Sequence, residues 1–149
     1  MQRPTVYNNF PCERELLAAC QAHFLTQHPP PDPSGALAVR DPVERVRRAL
    51  LELYDWYRQT EAMTGNVQRD RRLLPELDAL LAEPSDRQLD GLADTLAQGF
   101  PTRAKGKRRT RAVVRLALDF STWARLTADG LSDPDAARVM ANAVRAAVS

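Results

Sequence analysis

The run Asp41-Pro42-Val43-Glu44-Arg45-Val46-Arg47-Arg48-Ala49-Leu50-Leu51-Glu52-Leu53-Tyr54-Asp55-Trp56-Tyr57 decides the fold class. Val43, Val46, Leu50, Leu53, Tyr54 and Tyr57 recur at three- and four-residue steps. That is the period of an α-helix with one broad face turned to a core. Asp41 offers an acceptor to the free N–H groups of a first turn, Pro42 fits that turn, and Glu44 stands where a capping box needs it. The pattern predicts a helix ending near Thr64 and Gly65.

The same reading extends outward in both directions. Toward the C-terminus it predicts a short helix over 66–72 and another over 74–82. Ser85, Asp86, Arg87 and Gln88 form a second capping box, opening a helix to about Gly99 with Leu89, Leu92, Ala93 and Leu96 inward. A basic loop should follow, then one long helix over 107–129 closed by Gly130, a residue that tolerates positive φ. Ser132, Asp133, Pro134 and Asp135 should start a last helix reaching about Val148. Toward the N-terminus, His28-Pro29-Pro30-Pro31-Asp32-Pro33-Ser34-Gly35 reads as a stiff, extended connector. Before it, a helix over 12–27 carries Leu16, Leu17, Cys20 and Phe24 as a buried stripe. A short helical piece over 4–10 precedes that. No run of alternating β-branched residues supports a strand, so the class is all-α. Three parts result: residues 1–27, a proline-rich connector over 28–40, and a main helical domain over 41–149.

Composition narrows the function classes. The chain has 149 residues, 44% of them hydrophobic and 27% charged, with a net charge of +2. This is an ordinary globular balance. No stretch approaches the ~18 apolar residues that span a bilayer. Arg3, Pro4, Asn8 and Asn9 interrupt any signal-peptide core. A cytoplasmic protein without a membrane partner is expected. Cys12 and Cys20 match no zinc or redox spacing and read as reduced thiols. Cys20 and His23, three apart, could touch one metal, but two ligands make no site. Paired carboxylates, Ser/His/Asp sets and glycine-rich phosphate loops do not stand out. An enzyme, a metal and a cofactor are therefore not expected.

The two predicted C-terminal helices differ from the rest. One bears Val113, Leu116, Ala117, Phe120, Trp123 and Thr127 along one side. The other bears Ala136, Ala137, Met140, Ala143, Val144 and Ala147. Alanine lets helix backbones approach closely, and two antiparallel helices make half a four-helix bundle. A two-fold partner could supply the other half. The expected dimer contacts are Val113, Leu116, Ala117, Phe120, Ala136, Met140, Ala143, Val144 and Ala147. The alternative is that this hairpin simply covers its own domain.

Arg3-Pro4-Thr5-Val6-Tyr7-Asn8-Asn9-Phe10-Pro11 resembles the recognition helix of tetracycline-repressor (TetR) family transcription regulators. Glu13-Arg14-Glu15-Leu16-Leu17-Ala18-Ala19-Cys20 resembles the helix that links that motif to the regulatory domain. The run from Ala117 to Asp133 is similar to the penultimate helix and turn of many members. The resemblance implies the remnant of a helix-turn-helix domain followed by an effector-binding and dimerisation domain. In such a motif the second helix presents its first residues to the major groove. Thr5 and Tyr7 would reach phosphates, while Arg3 and Asn8 could reach phosphates or base edges. Val6 and Phe10 would face the small domain's core. The family usually has His where Asn9 stands. It usually has a small hydroxyl and then a base where Cys12 and Glu13 stand, so Arg14 would have to supply that phosphate contact. Two further helices should precede Arg3. An isolated helix of about seven residues is unstable in water, so the chain as written is expected to bind operator DNA weakly or not at all.

The resemblance also implies a ligand cavity among the middle helices. Its expected lining is Tyr54, Tyr57, Met63, Val67, Leu96, Phe100, Phe120 and Trp123. Aromatic residues with a few polar tips suit an amphipathic organic effector. The same residues could equally be a filled core. The implied function is a regulator, a repressor by preference, acting as a homodimer on operator DNA. Ligand binding would shift the dimer away from the operator's half-site spacing. A helical protein that blocks an intact relative by forming heterodimers is the alternative. Arg103, Lys105, Lys107, Arg108, Arg109, Arg111 and Arg115 read more readily as a solvated loop than as a phosphate-binding patch.

Overall fold

The computed structural model describes residues 13–148. Among the described residues every regular element is helical and there is no strand. The elements are α1 (Glu13–Gln27), α2 (Ser34–Leu37), α3 (Pro42–Gln59), α4 (Glu61–Asp70), α5 (Pro75–Leu81), a π-helical turn (Ala82–Asp86), α6 (Arg87–Gln98), α7 (Ala104–Leu118), α8 (Phe120–Ala128) and α9 (Asp133–Ala147).

Helix α3 is the axis of the molecule. It starts as its sequence requires: the Asp41 carboxylate accepts from the Glu44 N–H at 2.8 Å, with Pro42 in the first turn. Its inward face buries Val46, Ala49, Leu50, Leu53, Tyr54 and Tyr57. Helix α9 packs along α3, α7 packs on α9, and α6 packs on α7 and also touches α3. The Arg109 side chain donates to the Ala147 carbonyl at 2.8 Å, which sets the start of α7 beside the end of α9. The two helices are therefore antiparallel. Arg111 and Arg115 reach α6 through Asp94 and Asp90, each at 2.8 Å.

Several boundaries depart from the sequence pattern. The helix that opens at Asp41 yields at Thr60 (φ −114°), before Gly65. Both the Thr60 N–H and its hydroxyl donate to the Trp56 carbonyl, and Thr64 then donates to the Thr60 hydroxyl. This local bonding bends the chain into α4, which runs straight through Gly65. A separate helix over 66–72 does not form. Ser85 caps nothing, because the chain entering it is already helical and leaves no free N–H to accept from. Asp86 instead takes both guanidinium nitrogens of Arg71, at 3.1 and 2.7 Å. The connector is not extended throughout: Asp32 caps the Ser34 N–H at 3.0 Å, and α2 buries Ala36 completely.

The predicted long helix over 107–129 is two helices, broken at Asp119, whose ψ of 137° is extended. The basic run is no loop, since α7 already begins at Ala104. The turn before the last helix and the cap that opens it match their reading. Gly130 has φ +96°, and the Ser132 hydroxyl accepts from the Asp135 N–H at 3.3 Å. On α1 the expected stripe is only half-covered, and Cys20 is exposed.

Candidate functional site

A helix that stops leaves its last carbonyls without helical N–H partners. The break at Asp119 does this to α7 in the middle of the core. Three hydroxyls from elsewhere answer it. Thr122 donates to the Leu116 carbonyl, Tyr54 to that of Ala117 and Tyr57 to that of Leu118, each at 2.6 Å. Tyr54 and Tyr57 are one turn apart on α3, so a single helix face serves adjacent carbonyls. Burial, reinforced by the nearby Asp119 charge, pushes both phenols above the usual tyrosine value. They stay neutral donors.

Around these hydroxyls the rings close on one another. Tyr57 meets Phe120 edge-on at a centroid distance of 5.3 Å, Trp123 lies 5.9 Å from Tyr57, and Phe120 lies 5.4 Å from Trp123. Such spacings are those of packed aromatic pairs. The Trp123 ring is fully buried, and its indole N–H donates to Asp133 at 3.0 Å. Arg58 clamps the same carboxylate with two nitrogens, at 2.8 and 3.3 Å, and lies over the Trp123 ring.

Of the expected ligand lining, the structure brings together Tyr54, Tyr57, Phe120 and Trp123. They stand as packed rings with satisfied polar tips. Leu96 and Phe100 are buried in the same core from the α6 side. Met63 is 49% exposed on α4 and lines nothing inside, while Val67 is half-buried. The four rings, Leu96 and Phe100 form a filled core, with no cavity among them.

The expected dimer residues divide. Ala117, Ala136, Met140, Val144 and Ala147 lie in the chain's own core, where α9 packs against α3 and α7. Sequence periodicity identified the apolar stripe but not which of its edges would be covered from within. Val113, Phe120 and Ala143 are half-buried, and Leu116 is 52% exposed. The outward surface lies one step round each helix. On α7 it carries Ala112, Val113 and Leu116. On α9 it carries Val139, Ala143 and Ala146. Two observations place these stripes side by side. Arg138, Ala141 and Arg145 of α9 face α3 across a groove, and Arg111 and Arg115 of α7 face α6. What remains outward on both helices flanks their shared seam. Ala112, Val139 and Ala146 fell outside the expected set because they lie one step round each helix from the stripe that the apolar period marks.

Arg3, Thr5, Tyr7 and Asn8 lie outside the described residues, as do the helical piece over 4–10 and Cys12. Arg14 is exposed on the first turn of α1. Among the described residues no group of three or more His, Cys, Asp or Glu is placed to hold a metal, and no helix is long and apolar enough to cross a membrane. No family model matches the chain, and no curated protein or solved structure matches it either.

Proposed function

We propose that the chain is the dimer-forming, ligand-responsive part of a TetR-like transcription regulator, acting as a repressor. The observation that carries this reading is the outward apolar surface along the α7–α9 seam, with Leu116 and Val139 exposed at 52% and 44%. Contiguous apolar surface on a folded chain marks a contact site. Small residues flank both large ones, so a second copy related by a two-fold axis could approach closely. Two such helix pairs would make a four-helix bundle.

Operator contacts in this reading fall to Arg3, Thr5, Tyr7, Asn8 and Arg14. An amphipathic effector would act at Tyr54, Tyr57, Phe120 and Trp123, where the rings are packed closed. It would have to select a less compact state of that cluster. A ligand shifts an equilibrium only by its preference for one state over the other, so the cost of opening the rings would be subtracted from its affinity.

The test is the oligomeric state in dilute solution by light scattering after size exclusion. A dimer is expected for the natural sequence. Leu116→Glu combined with Val139→Glu should give a monomer that keeps its helical circular dichroism and its buried Trp123 emission. A natural chain that is monomeric at tens of micromolar would overturn the reading.

A further inference from the structure

A second surface feature is independent of the regulator reading. At the elbow between α6 and α7 lies an open groove of about 360 Å³, lined by Asp94, Ala97, Gln98, Phe100, Lys107, Arg108 and Arg111. Ligand sites occupy roughly 300–1,000 Å³, so this groove has room for a small molecule. Its chemistry is two-sided. Ala97 is half-buried and Phe100 is 5% exposed, giving an apolar floor. The methylene stems of Lys107 and Arg108 extend that carbon surface to the rim.

The charges are unequal in their freedom. Arg111 is held by Asp94 at 2.8 Å and by Asp90 at 3.6 Å. Arg115 is held by Asp90, and Arg109 is turned to the Ala147 carbonyl. Lys107 and Arg108, both exposed, have no ion-pair partner among the described residues. The groove thus offers two uncompensated cations above a carbon floor.

We propose that this groove binds a small amphipathic carboxylate, its anionic head between Lys107 and Arg108 and its flat apolar body against Ala97 and Phe100. A bare phosphate would leave the floor unused. A nucleic-acid strand would meet Asp90 and Asp94 on the same face, where they hold Arg111 and Arg115. An acid with a body of naphthalene size satisfies both halves of the site.

The test uses the full chain and 2-naphthoate, followed by nitrogen-edited NMR. Titration should shift amides confined to residues 94–111, with a dissociation constant of about 0.1–1 mM for a ligand this small. Added salt should weaken binding, because the cations are exposed. Lys107→Ala with Arg108→Ala should weaken it about tenfold, the usual scale for lost charge-assisted bonds. The neutral analogue 2-naphthalenemethanol should bind weaker by a similar factor. Ala97→Glu, at a half-buried surface position, should abolish binding while leaving the rest of the spectrum unchanged. The proposal fails if the double alanine variant binds as before, if the alcohol binds equally well, or if the shifts map to Tyr57, Phe120 and Trp123 instead. A short DNA duplex that displaces naphthoate through the same two cations would also overturn it, in favour of a nucleic-acid contact.

Discussion

Tyr54 and Tyr57 show how two hydroxyl groups hold a broken helix inside a core. Each fills apolar space with its ring and satisfies one orphan carbonyl of α7 with its tip. An unpaired buried carbonyl costs about 1–3 kcal/mol, so each hydroxyl stabilises the fold by a similar amount. Both phenols titrate above the ordinary value of 10.0 because of burial. An acid whose folded value is raised contributes stability that is complete below its unfolded value and is lost as pH rises past it. The protein should therefore lose stability above about pH 10, by up to ~1.4 kcal/mol per pH unit for each phenol. Urea titrations at pH 8, 10 and 11 would measure this. Tyr54→Phe and Tyr57→Phe should each lower stability at pH 8 and flatten the alkaline slope. A slope unchanged in the double variant would refute the assignment.

At the scale of the element, two glycines make opposite demands. Gly130 ends α8 with φ +96°, a conformation that strains any residue bearing a Cβ. Gly65 lies inside α4, where an added Cβ would meet the Phe120 ring at an ordinary 3.7 Å. Gly130→Ala should cost about 1 kcal/mol, whereas Gly65→Ala should gain up to about 1 kcal/mol from helix propensity. Thermal or urea unfolding of the two variants should move in opposite directions. The pair also explains what was legible in the sequence. Gly130 followed an apolar periodicity that ended there, so its role as a stop could be read directly. Gly65 looked like a stop as well, but the bend came from threonine hydroxyls at positions 60 and 64, bonded to the Trp56 carbonyl and to each other, a pattern invisible to hydrophobic periodicity. Asp119 hid for the same reason. The apolar period runs unbroken across it, and the hydroxyls that make a break tolerable come from α3 and α8. Caps that depend only on neighbouring residues, at Asp41 and Ser132, were readable from the chain itself.

Across the whole molecule, Asp133 is the point where α3, α8 and α9 are tied. It accepts from Arg58 of α3 and from the Trp123 indole of α8 while opening α9. Burial acts to raise its pKa, yet the bonds from Arg58 and Trp123 together outweigh that, and it titrates below the ordinary 3.8. Its contribution is thus present above the unfolded value and is lost as pH falls through the folded one. Asp133→Ala should cost about 1–3 kcal/mol at neutral pH, since it leaves the buried indole N–H unpaired, and should reduce the acid sensitivity of unfolding below pH 4. A urea midpoint equal to that of the natural chain at neutral pH would disprove the tie.

The two tryptophans sit in unlike company. Trp123 is sealed in the core, whereas Trp56 is half-covered and donates its indole N–H to the His28 carbonyl at 3.1 Å, with Phe24 of α1 beside it. Light emitted by the chain therefore carries two separable signals. Swinging of the N-terminal arm away from the body would redden and dim Trp56 alone, and the interior fluorophore would keep its blue, quencher-shielded emission until global melting. Arm release and collapse of the body can be followed in one cuvette, without any attached dye.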